Sequence, residues 1–385
     1  MKIFHISDLH IGKQLHYYNL REEQEDILDK IVYAVEQHQP DALVIAGDIY
    51  DKSTPSAEAY EIFDRFLNRL AELDGRMAVL VIAGNHDNAS RLSYASEFLE
   101  KSRIYVSAKA PAQEEYLKKI TLADEYGDVD FYLLPFIRPR DVRHLFDEGV
   151  VTSYDTAVAA VLERELIDYS RRNVLVAHQF FVAGDSAPER CDSEQTYIAV
   201  GGIDSVDVRH VEQFDYVALG HIHGAQKMGG EHIRYSGTPL KYSVSETHHH
   251  KGITVITMQE KGAPLQIERL SLEPLHDVRK LEGTLEELLR MEDAPMEEYT
   301  SITLTDEEGL YRPKDQLEER YHRILEVRMD NARVRHKLEH TMSSEEQLTP
   351  FEAFMEFYQE MNGQPMSEEE RCVIADVIET AEERV

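Results

Sequence analysis

The chain has 385 residues, and 41 Lys plus Arg against 73 Asp plus Glu give it a formal net charge of −32. That balance excludes a surface that captures nucleic acid by bulk electrostatics, so any polyanion has to be held by a local basic groove, by metal or by a basic partner. With 42% apolar residues and only Cys191 and Cys372 as cysteines, the composition excludes a disordered polymer and a disulfide framework, and with no apolar stretch near the ~18 residues a membrane span needs, no membrane anchor is expected. It fits two or three globular domains in a reducing cytoplasm.

Taken in chain order, β-branched apolar runs of strand length occur at 2–7, 42–47, 78–84, 173–177 and 216–220, and each ends in polar residues. Helix-like segments lie between several of them, at 20–37 and 56–73 among others. Buried strands separated by amphipathic helices predict a layered α/β domain, over 1–268, with ligands beyond the carboxyl ends of the strands. Beyond it the texture changes: 275–281, 300–304 and 324–328 read as strands, interleaved with acidic helices at 285–291 and 313–321. These form a small α/β domain over 269–333, a size that folds alone only marginally.

A polar linker, 334–348, comes next. Thr349, Pro350 and Glu352 carry N-cap signals, and Phe351, Phe354, Met355, Tyr358 and Met361 mark one helical face. Gly363 and Pro365 break it, and Ser367 with Glu370 opens a second helix bearing Val373, Ile374, Val377, Ile378 and Ala381, so 349–385 is predicted to be a helical hairpin. The run His248-His249-His250 is read as a solvated loop, because three adjacent side chains do not easily converge on one ion.

The chemistry lies in five strand-end clusters: Asp8-Leu9-His10, Gly47-Asp48, Gly84-Asn85-His86-Asp87, His178 and Gly220-His221-Ile222-His223. Asp, Asn and neutral His offer mixed oxygen and nitrogen ligands suited to Mn²⁺, Fe²⁺ or Zn²⁺. Asp8, His10, Asp48, Asn85, His178, His221 and His223 are too many candidates for one ion that must leave room for water and substrate, so two are expected. In Asp8-x-His10 and His221-x-His223, one residue between the two lets both side chains of an extended segment point the same way. Glycines 47, 84 and 220 allow tight turns and close backbone approach.

Each cluster alone is weak, but D-x-H, G-D, G-N-H-D, H and G-H-x-H in this order resemble the calcineurin-like metallophosphoesterase superfamily. Within it the chain is most similar to the bacterial SbcD nuclease-subunit family, through KIFHISDLHIGKQL, GDIYDKSTPSAEAY, AGNHDNASRLSY and YVALGHIHGAQ followed by YSGTPLKYSVSE. The resemblance covers essentially the whole chain. It implies a double β-sandwich flanked by helices with a di-metal centre on one edge, a small capping domain, and a C-terminal hairpin that docks on a coiled-coil ATPase.

Carried over by motif, one ion would be held by Asp8, His10 and His223 and the other by Asn85, His178 and His221, with Asp48 bridging. His86 would face the scissile phosphate and protonate or stabilise the leaving oxygen, and Asp87 would orient its ring. Asp51 stands where archaeal and eukaryotic relatives usually carry a histidine, which places the match in the bacterial branch. Lys13, His16, Tyr17 and Arg91 lie near the ligand motifs and are candidate DNA contacts. Ile62, Phe63, Phe66, Leu67 and Leu70 with Leu92, Phe98 and Leu99 make two apolar faces, and the resemblance implies that they pair across a two-fold axis.

The resemblance therefore implies a Mn²⁺-dependent DNA exonuclease and endonuclease subunit with two divalent ions. It would be homodimeric, and heterotetrameric with an SMC-like coiled-coil ATPase, SbcC, in a cytoplasmic, nucleoid-associated complex. No G-x-x-x-x-G-K-[ST] occurs, so ATP would be the partner's ligand. A phosphoesterase acting on a small phosphodiester, or a non-catalytic scaffold, are the rival readings.

Overall fold

The computed structural model describes residues 1–73, 77–184, 186–197, 205–307 and 309–330, with Met355, Tyr358, Met366, Ser367 and Arg371 beyond them. The predicted linker and most of the predicted hairpin lie outside the described residues.

Two large sheets carry the architecture. Their elements are, in chain order, β1 (Lys2–Ile6), α1 (Arg21–His38), β2 (Ala42–Ala46), α2 (Ala57–Glu72), β3 (Ala78–Ile82), β4 (Ile104–Ser107), β5 (Lys118–Asp124), β6 (Gly127–Leu134), α3 (Tyr154–Arg164), β7 (Arg172–Ala177), β8 (Tyr216–Leu219), β9 (Gln226–Met228), β10 (Gly230–Tyr235), β11 (Gly252–Thr257) and β12 (Gln266–Ser271). One sheet has the order β12-β11-β1-β2-β3-β4 and the other β9-β10-β8-β7-β6-β5. The inner strands pair in parallel in both, and antiparallel strands finish one edge of the first sheet and both edges of the second.

Side-chain alternation with period two explains the layering. Ala42, Val44 and Ala46 of β2 and Leu80 and Ile82 of β3 face a core shared with Phe131 and Leu133 of β6, Val174 and Val176 of β7 and Tyr216 of β8. Their neighbours Leu43, Ile45, Val79 and Val81 point the other way, onto Ile27 and Ile31 of α1 and Ile62, Phe63 and Phe66 of α2. On the far side Leu175, Val217 and Leu219 cover Val158 and Val161 of α3. The result is helix, sheet, sheet, helix, the expected sandwich, and each fully buried aliphatic side chain contributes roughly 1.5–3 kcal/mol to it. His5 is buried in the inter-sheet layer, its Nδ1 2.9 Å from the Tyr216 hydroxyl.

A three-stranded sheet, Val278–Gly283, Tyr299–Leu304 and Arg323–Met329 with the second in the middle, accompanies helices Leu285–Arg290 and Pro313–Glu318. By backbone contacts the chain divides into two compact units: Met1–Leu281 with Glu292–Ile302 and Glu318–Glu326, and Glu282–Met291 with Thr303–Leu317 and Val327–Val385. No described helix is long and apolar enough to cross a membrane.

Two expectations are corrected. The second apolar face, on Leu92, Phe98 and Leu99, is not one helical face but lies on two one-turn helices, Ala89–Leu92 and Ser96–Leu99, because Ala95 enters the left-handed region at φ 59° and breaks the run. Ile62, Phe63, Phe66, Leu67, Leu70 and Leu92 are buried in the chain's own core, where the first sheet needs cover, so they are not free for a second copy. Phe98 and its neighbour Tyr94 do point outward, at 68% and 84% exposure.

Candidate metal centre

The polar clusters leave β1, β2, β3, β7 and β8 at their carboxyl ends, and the two sheets bring them to one place. Asp8 N donates to Gly47 O at 2.9 Å and His10 N to Asp48 O at 3.0 Å, which ties the loop after β1 to the loop after β2. His221 N donates to the Asp8 carboxylate at 3.0 and 3.1 Å, and His86 N to Asp48 Oδ1 at 2.9 Å. Asp8, His10, Asp48 and His221 all have positive φ, at 53°, 43°, 50° and 94°. For non-glycine residues that conformation is costly and persists only where the surroundings over-determine it. The glycines serve close approach: a Cβ on Gly220 would overlap Ala46 O, and one on Gly84 would overlap the Asp48 carboxylate.

The seven candidate ligands converge. Asp8, His10 and His223 offer ligand atoms within 4.8 Å of one another, and so do Asp8, Asp48 and His178. His10 Nε2 lies 3.1 Å from His223 Nε2 and 3.7 Å from Asp48 Oδ2. Asn85 Oδ1 lies 3.1 Å from His178 Nε2 and 2.8 Å from His221 Nδ1, and His178 Nε2 is 3.4 Å from Asp48 Oδ2. His178 Nδ1 sits 2.7 Å from Ala46 O, an acceptor, so it donates there and turns Nε2 inward. Oxygen and nitrogen acceptors facing one another in a buried space fit divalent cations, which gives the protein a possible His/Asp metal site.

Electrostatics agree. Burial pushes Asp8 up to about 6 against the pull of His178 and His223. Burial would raise Asp48 too, but the charges of His178 and His86 outweigh it and hold that carboxylate well below its usual range. Burial would lower His178, yet Asp48, Asp8 and the Ala46 carbonyl together lift it to about 9. His10 and His221 are driven down by burial, His221 to about 3, so both rings are neutral and ready to ligate at neutral pH.

His86 stands at the open side. Its Nδ1 is 2.7 Å from Asp51 O and its Nε2 3.9 Å from Asp48 Oδ2. The Asp51 carbonyl is one group that orients the ring. The Asp87 carboxylate accepts the N–H groups of Gly84, Ile49 and Tyr50 at 2.9, 3.1 and 3.0 Å and holds two ligand loops together. The short helix that follows is capped by Asn88.

Lys13 is half-buried and paired with Asp51 at 2.8 Å. His16, Tyr17 and Arg91 are exposed, and the Tyr17 hydroxyl donates to Ile324 O at 2.6 Å. Beside His86 opens a cleft of about 960 Å³ lined by Asn85, Asp51, Lys52, Lys109, Phe136 and Arg138. Sequence reasoning missed Lys52, Lys109 and Arg138. Lys52 adjoins a ligand loop and could have been read, but the other two reach the cleft only through folding. Of the three consecutive histidines, His248 and His250 are exposed, and none joins a metal-like group among the described residues.

The calcineurin-like phosphoesterase family matches residues 1–225, and a domain described as the type 5 capsule protein repressor C-terminal domain matches 274–362. The SbcD subunit of nuclease SbcCD from Staphylococcus saprophyticus subsp. saprophyticus is 34% identical over 292 residues, covering 75% of this chain and 74% of that protein. The protein of the same name from Staphylococcus epidermidis is 32% identical over 329 residues, 84% of each chain. Among solved structures, a dimetal phosphatase from Danio rerio aligns with 71% of this chain and 98% of its own at 15% identity and a TM-score of 0.40. The fold and the site define a calcineurin-like metallophosphoesterase, and the chain belongs to that family and, within it, to the SbcD subunits of SbcCD nucleases.

Proposed function

We propose that this protein is a Mn²⁺-dependent DNA nuclease subunit that hydrolyses phosphodiesters by two-metal catalysis, at DNA ends and in single strands or hairpins. The observation that carries the reading is the convergence of seven ligand side chains from five strand ends beside a cleft bearing Lys52, Lys109 and Arg138. The name of the similar staphylococcal proteins supplies the nuclease activity.

Asp8, His10 and His223 would hold one ion and Asn85, His178 and His221 the other, with Asp48 between them. When bound, such ions stabilise charge on the phosphodiester oxygens and lower the pKa of an attacking water. The chain's own residues do the rest. Gly84, Gly220 and the Asp87 carboxylate keep the ligand loops in place. His86 Nδ1 donates to Asp51 O, which orients the ring, and in its doubly protonated, imidazolium form Nε2–H would stabilise or protonate the leaving oxygen. Lys52, Lys109 and Arg138, which share the cleft with Asp51, Asp87 and Asp141, are the candidate contacts for a phosphate backbone. Lys13, His16, Tyr17 and Arg91 are further candidate DNA contacts.

The same reading assigns the C-terminal segment to an SMC-like ATPase, SbcC, and a homodimer contact to the outward Tyr94 and Phe98, giving a heterotetramer acting on DNA in repair, recombination and replication. The test is cleavage of end-labelled single-stranded, hairpin and blunt duplex DNA in Mn²⁺, with EDTA and His86→Ala controls, with and without the ATPase. Metal-dependent cleavage lost in the variant supports the proposal. Two bound ions with DNA untouched and a small phosphodiester hydrolysed would replace it.

A further inference from the structure

We infer that Ser193 is a positioning residue for the metal ligand His223, and that Ser193, Glu246 and Lys251 form a buried chain deciding which ring nitrogen of His223 carries its proton. The inference rests on the metal-centre reading above.

An imidazole can ligate through a nitrogen only if that nitrogen keeps its lone pair, so something has to hold the proton on the other one. For His178 the backbone does this, through Ala46 O. For His223 the partner of Nδ1 is a hydroxyl, Ser193 Oγ, at 2.7 Å. A hydroxyl both donates and accepts, so this contact alone leaves the tautomer open. The next link closes it. Ser193 Oγ donates to Glu246 Oε1 at 2.7 Å, and Lys251 Nζ lies 2.6 Å from the other oxygen of that carboxylate, with both side chains at most 4% exposed.

A buried carboxylate facing an ammonium group accepts and does not donate. The one proton of Ser193 is therefore committed to Glu246, the hydroxyl has to accept from His223 Nδ1–H, and Nε2 is left with its lone pair toward His10 Nε2, 3.1 Å away. Glu246 Oε1 is itself 3.8 Å from His223 Nδ1, beyond hydrogen-bond reach, so the serine is a needed link. The backbone of His223 is tied to the same group of residues. Lys251 Nζ reaches its carbonyl at 3.0 Å, and Glu194 Oε1 accepts its N–H at 2.5 Å.

A different occupant is conceivable, because Cys191, His223 and Glu246 also offer ligand atoms within 4.8 Å of one another. Ser193 Oγ, however, sits 3.1 Å from Cys191 Sγ and 2.7 Å from both other groups, in the space a cation would fill.

The experiment is calorimetric titration of the full chain with Mn²⁺, comparing wild type with Ser193→Thr and Ser193→Val. These variants have nearly the same shape and differ in the hydroxyl, so folding problems common to both do not mimic the effect. Selective ¹⁵N-imidazole NMR of the metal-free protein reads the tautomer directly. Expected are two Mn²⁺ events in wild type and in Ser193→Thr, with one event weakened about 10- to 100-fold in Ser193→Val and a loss of the His223 Nδ1–H signal. Equal binding by Ser193→Thr and Ser193→Val would overturn the inference while leaving the metal centre standing. A third Mn²⁺ equivalent abolished by Cys191→Ser would overturn it in favour of an ion at that cluster. A wild-type protein that binds no Mn²⁺ would overturn the metal-centre reading and the inference with it.

Discussion

His5 and His178 are both fully buried, both belong to central strands or their ends, and their ring environments drive them in opposite directions. His5 has one nitrogen on the Tyr216 hydroxyl and the other, Nε2, buried with no hydrogen-bond partner among the described residues, and burial, against the Leu219 backbone and helped by Arg269, drives it down to about 3. His178 has two carboxylates within reach, Asp48 at 3.4 Å and Asp8 at 3.9 Å, and they lift it to about 9 in spite of the same burial. At His178 the nearby carboxylates outweigh burial, whereas at His10 and His221 burial outweighs the pull of Asp48, so the direction follows from the balance of the two.

The sharpest way to break this contrast is to delete each ring. His178→Ala should abolish one Mn²⁺ event and lower DNA cleavage by about 10³-fold or more, the order seen when a key electrostatic group is removed from a reacting centre. His5→Leu should bind Mn²⁺ normally and cleave within a few-fold of wild type. Calorimetry beside a cleavage assay reads both, and a comparable loss in His5→Leu would erase the distinction. His86, half-buried and facing the cleft, falls between them. His86→Ala should cost about 10²–10⁴-fold in kcat, as for loss of a general acid, with Mn²⁺ affinity unchanged.

The opposite shifts also predict opposite limbs of stability against pH in metal-free protein. The folded pKa of His178 is raised from 6.5 to about 9, so its stabilisation is complete below pH 6.5 and is lost as pH rises through 9. That of His5 is lowered from 6.5 to about 3, so its environment favours folding above pH 6.5 and works against it as pH falls toward 3. At pH 5 the His5 cost is about 2 kcal/mol by linkage. Urea unfolding in EDTA at pH 5, 7 and 10 should show the alkaline limb flattened in His178→Ala and the acid limb flattened in His5→Leu.

The smallest expected effect concerns the cleft. Lys109→Ala should leave both histidines and Mn²⁺ binding untouched and reduce the salt slope of DNA binding by about 1, with weakening roughly equal across sequences.

Much of the site was legible because the information is local. The five clusters announce themselves by residue type and by position after an apolar run, and Gly84 and Gly220 sit where only a hydrogen fits. β1, β2, β3, β7 and β8 follow the predicted runs to within two residues, since they are apolar on both faces and stand out, whereas β4–β6 and β9–β12 were not read from the sequence. The helix after Asn88 was not legible: Ala95 is a good helix former and gives no hint of its φ of 59°. Nor was the duty of Asp87, because three backbone donors on different loops claim it.

The sequence by itself determined the α/β class, the order of the motifs and the side chains able to ligate, because these follow from composition, periodicity and the adjacency of residues along the chain. Only the tertiary structure decided which histidine meets carboxylates and which meets a tyrosine, and which group holds the proton of His223. It also brought Lys109 and Arg138 into the cleft. The physical reason is that pKa and tautomer depend on what lies within a few ångströms, and here that neighbour is commonly far away in sequence: His178 leans on Ala46, 132 positions earlier, and His5 on Tyr216, 211 positions later.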